Sequence, residues 1–547
     1  MSDLPRWAGQ QRILLRNGTL YAPRTPFATA MLIDGPTIAW LGEESAADRH
    51  LDGVDRVVDL QGALVTPGFV DAHVHATSTG LTITGLDLSR TSSLQEALEM
   101  LADRIRRTPG EAVMGHGWDE TRWPERRAPL RREIDERAGD ALVYLSRVDV
   151  HSAVVSSSLV ARVSGLPSLA GWSPDGPISR QAHHAVREEI LSTITPEQRR
   201  AAQQAMRGHA AALGVVAMHE MAGPTISSEA DLADLLALAS DEPGPVVTGY
   251  WGELAQAGGI ARAESLGALG VAGDLFMDGA IGSRTAYLCE PYADAPDTTG
   301  APYLDADAVA EHVAAATTAG LQAGFHVIGD AAAAEAVAGL RTAAERVGTG
   351  PFRALGHRLE HAEMLTDQHV AALAELGVTA SMQPMFDGLW AGPGGMYEQR
   401  LGAERTAAMN RFADLVAAGA LVAFGSDAPV TDVGPWEAVR AALEHSNPAQ
   451  RLSARAAFAA HTRAGWRAVG QPGTGVLEPG APAHVAVWGD VDVLVQAPDS
   501  RVSAWSTDPR SGTPGLPDLS SDAPTPRCLR TVVAGRAVFD SGELDDS

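Results

Sequence analysis

The sequence contains no lysine; all 42 of its basic side chains are arginine. That absence excludes chemistry needing a primary amine: Schiff bases, pyridoxal-phosphate attachment, a P-loop lysine, and a carboxylated lysine bridging two metals. Cysteine is nearly as scarce. Cys289 and Cys528 stand far apart, which excludes a disulfide framework and a CxxC thiolate metal site. No apolar run is long enough to cross a bilayer, and residues 1–10 lack the apolar core of a secretory signal. A cytoplasmic protein without a membrane partner is expected. Basic residues are outnumbered by 68 acidic ones, giving a formal net charge of −26. Nucleic acid is therefore not an expected partner. The densest basic stretch, residues 122–137, is interrupted by Glu125, Glu133, Asp135 and Glu136 and reads as a solvated helical face.

What is present is a chain of 547 residues, 45% apolar and 20% charged, long enough for one large barrel with appendages. Residues 12–16, 30–33, 37–40 and 56–60 read as short strands, with turn signals at Asn17-Gly18 and Asp34-Gly35. The far end reads alike, with a strand at 484–488 and a hairpin over 530–539 turning at Ala534-Gly535; residues 506–525 read as a surface loop. Both ends are expected to build one small β-sandwich, from residues 1–64 and 468–547. Between them, short apolar strands alternate with Ala-rich helices. Strands are expected at 63–70, 214–218, 245–249, 274–277, 322–325, 357–360, 378–382 and 421–424. Eight such units predict an α/β fold, a closed (β/α)8 TIM-like barrel over 65–76 and 206–467. The gap after the first strand is too long for one helix, so residues 77–205 are expected to form an inserted domain over the barrel mouth.

The chemistry-bearing residues fall at strand ends. His73 and His75 flank Val74, and alternation along a strand points both the same way. Alone, such a pair is more often structural than ligating. However, His326 follows the fifth expected strand, His361 the sixth and Asp427 the eighth. Catalytic groups of barrels gather at that end, and imidazole and carboxylate are the ligands that zinc and similar divalent ions prefer.

The segments TPGFVDAHVH (66–75), FHVIGD (325–330), RLEHAE (358–363) and GSDAPV (425–430) together resemble the amidohydrolase superfamily. With LFMDGAIGSRTA (275–286), the chain is similar to the amidohydrolase-3 branch, which includes N-substituted formamide deformylase-like proteins. The resemblance spans nearly the whole chain. It implies metal ligands His73, His75, His326 and His361 and a catalytic Asp427 that also ligates, holding one or two divalent ions, zinc foremost. That branch commonly carries a lysine one residue before the fourth-strand Leu-Phe, and here the position is Asp274. Aspartate keeps the negative charge but is several ångströms shorter than a lysine carbamate. Asp274, with Asp278 of the same parity, is thus a candidate bridge or else a cap or turn residue.

Further candidates are Asp330, as a partner of His326 or a helix cap, and His219 beside Glu220, as a substrate contact. Trp118, Asp119 and His151 are candidates to line the pocket from the insertion, or to pack within it. Arg284 would bind a substrate carboxylate or pair within its loop. The expected reaction is hydrolysis of a C–N bond, in an amide, formamide or carbamate-like small molecule, with Asp427 as general base. A deaminase on the same barrel is the alternative, although related deaminases carry a glutamate where this chain has Gly329. A catalytically inactive metal-binding scaffold is the third reading, and a homodimer the expected assembly.

Overall fold

The computed structural model describes residues 5–148, 152–489, 491–496, 505–506 and 514–546. The chain divides into two compact units, residues 1–75 with 207–547, and residues 76–206.

The first unit contains an eight-stranded parallel sheet. Its strands, numbered here in chain order, are β1 (Phe69–Val74), β2 (Val215–Ala222), β3 (Val246–Trp251), β4 (Gly270–Val271), β5 (Gln322–Val327), β6 (Arg358–His361), β7 (Thr379–Met382) and β8 (Leu421–Phe424). They lie side by side in sequence order. The ring closes where β1 returns to β8: Val74 bridges Ala428, the His75 amide donates to the Ala428 carbonyl at 3.0 Å, and the Asp427 amide donates to the His73 carbonyl at 2.8 Å. Every residue of β1, β2 and β5 is buried, as parallel strands covered on both faces require. This is the (β/α)8 barrel that the β/α rhythm predicts.

Two strand expectations need correction. Residues 63–70 read as one strand but form the ends of two. Leu64–Pro67 pairs antiparallel with Val485–Gly489 in the sandwich, and Phe69–Val74 enters the barrel. The chain changes sheets at Gly68, where a Cβ would lie 2.2 Å from Val216 Cγ1, so only glycine passes that close. The fourth strand is Gly270–Val271 rather than 274–277. Gly273, at φ +97°, turns the chain out of the ladder, and only Phe276 rejoins it, through a bridge to His326. Asp274 therefore sits on the turn just past β4.

Both ends of the chain build two further five-stranded sheets. One contains Arg12–Arg16, Ala30–Asp34, Thr37–Gly42, Arg56–Asp59 and Asp545–Asp546; the other contains Thr19–Leu20, Leu64–Pro67, Val485–Gly489, Arg527–Val533 and Arg536–Asp540. Leu15, Met31, Ile33, Val58, Val65, Val485, Val487 and Val532 share one buried cluster between them. The expected loop over 506–525 is corrected in part, because Leu516–Pro517 pairs with Val493–Leu494 and Leu519 is buried. Residues 507–513 lie outside the described residues.

The second unit enters the chain between β1 and β2. It is an α/β body whose sheet runs Ile178–Ser179, Ser152–Val155, Val143–Arg147, Val113–Trp118, Leu86–Asp87. Helices Leu94–Arg107 and Arg131–Ala138 supply Leu98, Leu101 and Ile134 to a core with Trp118 and Trp123.

Candidate metal centre

Six side chains converge at the C-terminal ends of the barrel strands. His73 lies in β1 and His75 just beyond it; His326 lies in β5 and His361 ends β6; Asp274 follows β4 and Asp427 follows β8. All six are buried. Asp427 Oδ1 is 3.4 Å from His73 Nε2 and 3.2 Å from His75 Nε2. Asp274 Oδ2 is 3.1 Å from His75 Nε2, while its Oδ1 lies 3.6 Å from His73 Nε2, 3.6 Å from His326 Nδ1 and 3.7 Å from His361 Nε2. Among the described residues, two triads place their ligand atoms within 4.8 Å of one another: His73, His75 and Asp427, and His73, Asp274 and His361. His73 belongs to both.

The donor atoms suit a divalent cation. His73 Nε2, His326 Nδ1, Asp274 Oδ1 and Asp427 Oδ1 are buried without a hydrogen-bond partner among the described residues. Each such atom costs about 1–3 kcal/mol when left unsatisfied. Here their lone pairs face one another across a shared space, an arrangement that a cation resolves.

The outer nitrogens decide which inner ones are free. His73 Nδ1 lies 2.9 Å from Glu360 Oε2, and His361 Nδ1 lies 2.8 Å from Gln383 Oε1. A carboxylate or amide oxygen only accepts, so both Nδ1 atoms carry hydrogen, and the lone pair of the neutral ring lies on Nε2. His326 is reversed: its Nε2 faces the Gly279 carbonyl at 3.4 Å, which leaves Nδ1 for the cluster.

The backbone aims two of these groups by leaving the extended region. His361 and Ala362 have φ of +65° and +47°, and Asp427 has +56°. Left-handed conformations at non-glycine residues cost about 1–3 kcal/mol each and persist where the surroundings hold them. Here the Ala362 amide donates to Val327 at 2.9 Å. The turn at Asp427 is tied to β1 by Asp71, which accepts from the Ser426 amide at 2.9 Å and the Ser426 hydroxyl at 2.6 Å.

Charge is distributed to match. Burial works against a charged His73, yet Asp427 and Asp274 raise its pKa well above the ordinary imidazole value. Burial is likewise outweighed at His75, which Asp274 and Asp427 push up to about 10. Burial would raise both aspartates, but His73 above all holds each far below the usual carboxylate range. Two anions persist inside a shell of histidines.

Other expected residues take different places. Asp278 belongs to neither triad; it accepts from the amides of Tyr287, Ile328 and Gly329 at 2.8, 3.0 and 2.8 Å and latches the loop after β5. Asp330 opens helix Asp330–Val347 and accepts from the Cys289 amide at 2.9 Å, so Gly279 rather than Asp330 faces His326. His219 turns to Arg358, 3.3 Å away, and burial together with that guanidinium pushes its pKa down to about 3. Arg284 is paired bidentately with Asp294 at 3.0 and 2.7 Å. Trp118 is a core residue of the second unit, its indole donating to Leu145 at 2.8 Å, while Asp119 lies 3.7 Å from Arg147. His151 lies outside the described residues.

Sequence reasoning missed Asp71, Arg358, Glu360 and Gln383. Alternation offered a signal for three of them: Asp71 shares parity with His73, and Arg358 with Glu360. Gln383 carried none.

A sequence model of the amidohydrolase family matches residues 56–539. The protein LONG AFTER FAR-RED 3 of Arabidopsis thaliana is 28% identical over 470 residues, covering 80% of this chain and 78% of that one. N-substituted formamide deformylase of Arthrobacter pascens is 30% identical over 138 residues, 25% of this chain and 26% of that one. Among solved structures, an uncharacterized metal-dependent hydrolase from Pyrococcus furiosus superposes with a TM-score of 0.72 at 26% identity, covering 87% of this chain and 98% of that chain.

Proposed function

The chain belongs to the amidohydrolase family and is a metal-dependent hydrolase, and from that premise we propose that it cleaves a C–N bond of a small amide, formamide or carbamate-like molecule, with Asp427 as the proton carrier. The placement of Asp427 carries this reading: a buried carboxylate held anionic, 3.2 and 3.4 Å from two imidazole nitrogens that face the same space. His73, His75 and Asp427 form one triad that would hold a divalent ion, and His73, Asp274 and His361, with His326 3.6 Å from Asp274, a second; the nitrogen and oxygen donors favour zinc. When bound, such an ion polarises the scissile carbonyl and brings the pKa of a water from about 15.7 to about 7. Asp427 takes the proton of the attacking water and passes it to the leaving nitrogen. Partial identity to a formamide deformylase supports the C–N bond as the target.

Deamination fits less well. The glutamate of related deaminases would stand at Gly329, where a Cβ would lie 2.0 Å from the Tyr287 carbonyl oxygen and 2.9 Å from Asp278 Oδ2. No side chain fits there without moving backbone.

The test is elemental analysis of purified protein after dialysis against metal-free buffer, beside a panel of amides, formamides, carbamates, esters and ring amidines. Bound divalent ion and chelator-sensitive amine release from the first three classes are expected. Metal-free protein with full activity, or turnover of ring amidines alone, would overturn the reading.

A further inference from the structure

Beneath the ligand cluster the barrel interior is polar where barrels are ordinarily filled by branched aliphatic side chains. At its centre is Arg358 on β6, wholly buried. Its Nε donates to Glu360 Oε1, and its Nη2 donates to Glu360 Oε2 at 3.0 Å. The same Nη2 reaches the Ala72 carbonyl on β1 at 2.7 Å and Ser381 Oγ on β7 at 3.0 Å. Its Nη1 lies 3.3 Å from His219 Nδ1 on β2, and the guanidinium carbon stands 4.7 Å from the Tyr250 ring centroid on β3. One side chain thus touches β1, β2, β3 and β7 from its own strand, β6.

We propose that Arg358 is a positioning residue for the metal centre, clamping Glu360 so that Glu360 holds His73 with its Nε2 presented to both ligand triads. This rests on the reading of His73 as a metal ligand.

Stability alone is a weak reason for this construction, because a buried ion pair is often matched or bettered by apolar packing of the same volume. The geometry supplies a stronger one. Both oxygens of Glu360 are committed to the planar fork of Arg358, and Oε2 also accepts from His73 Nδ1 at 2.9 Å. The carboxylate cannot swing without breaking the fork, and the imidazole cannot turn without losing its acceptor. His73 is common to both triads, so its orientation governs the whole donor set. Partners of this kind, which fix the tautomer and raise the basicity of a ligating histidine, typically change metal affinity about 10–100-fold when removed.

Chelator competition for zinc, the absorption spectrum of the cobalt-loaded protein and the thermal midpoint of the metal-free protein are measured for the parent, Glu360→Gln, Arg358→Met and the double variant. Each single substitution is expected to lower zinc affinity about 10–100-fold and alter the cobalt spectrum. The double variant should lose little more than the worse single, because Arg358 acts through Glu360. A lowered midpoint with unchanged affinity and spectrum overturns the proposal, and so do losses that multiply. If Arg358→Met yields no folded protein, Arg358→Lys decides: it keeps the charge but not the fork, and unchanged affinity in that variant also overturns the proposal. If the parent itself binds neither zinc nor cobalt, the metal reading fails and the inference falls with it.

Discussion

Asp274 Oδ2 lies 3.1 Å from His75 Nε2. Its other oxygen faces His326 and His361 at 3.6 and 3.7 Å, so a single short carboxylate spans the two halves of the cluster. Asp274 sits on the turn past β4 rather than in a ladder.

Asp274→Ala should therefore lower metal occupancy towards one ion per chain. The His73, His75 and Asp427 triad survives the change, while the other triad loses its anion. Elemental analysis per mole of folded protein reads the difference. Unchanged occupancy would clear Asp274 of a bridging role.

Bicarbonate should not enhance reconstitution. With no lysine anywhere in the chain, no side chain is available to form a bridging carbamate. Activity recovered from metal-stripped protein should be the same in carbon-dioxide-free buffer and in buffer with added bicarbonate; strong dependence would contradict this.

Asp427→Asn should separate chemistry from metal binding. The amide keeps size and one carbonyl oxygen but cannot accept the water's proton at neutral pH. A fall of roughly a hundredfold to ten-thousandfold in kcat is expected, with most metal retained and the thermal midpoint little changed. His73→Ala should lose metal as well as activity, because both triads share that residue. Near-normal turnover by Asp427→Asn would reassign the proton carrier.

Gly329→Ala should destabilise the protein by about 1–3 kcal/mol, the usual penalty of overpacking. Its Cβ would lie 2.0 Å from the Tyr287 carbonyl oxygen, whereas a Cβ at Gly350 would meet nothing within 4 Å. Gly350→Ala is the control, and the two thermal midpoints should separate clearly. Coincident midpoints would show that the loop after β5 yields freely.

The barrel and most of the proposed ligand cluster were legible because both rest on local rules. Period-two alternation places His73 and His75 together, and the β/α rhythm puts His326, His361 and Asp427 at one end of the barrel. His361 was found by position, not by alternation. It directly follows Glu360, and only its left-handed φ of +65° breaks the pattern. The division of residues 63–70 at Gly68 was hidden because the neighbour that a side chain there would meet, Val216, lies far along the chain. Arg284 was open between a substrate and a loop partner, and its partner Asp294 emerges only from the folded loop. Arg358 and Glu360 share parity inside a recognised segment, but their partners on β1, β2, β3 and β7 emerge only from the closed barrel, and Gln383 carried no local signal.

Asp71 and Ser426 meet across the seam of the barrel although 355 positions separate them. The proposed ligands are drawn from nearly the same span, His73 to Asp427. The centre is thus a contact of very high sequence separation, and its loop-closure entropy is met only when the last barrel strand docks on the first. A nascent chain has most of the donors, but the His73, His75 and Asp427 triad forms only after residue 427 has emerged and β8 has paired. On the proposed ligand set, metal affinity would report barrel closure, and an ion bound there would favour the closed ring over any partly assembled one.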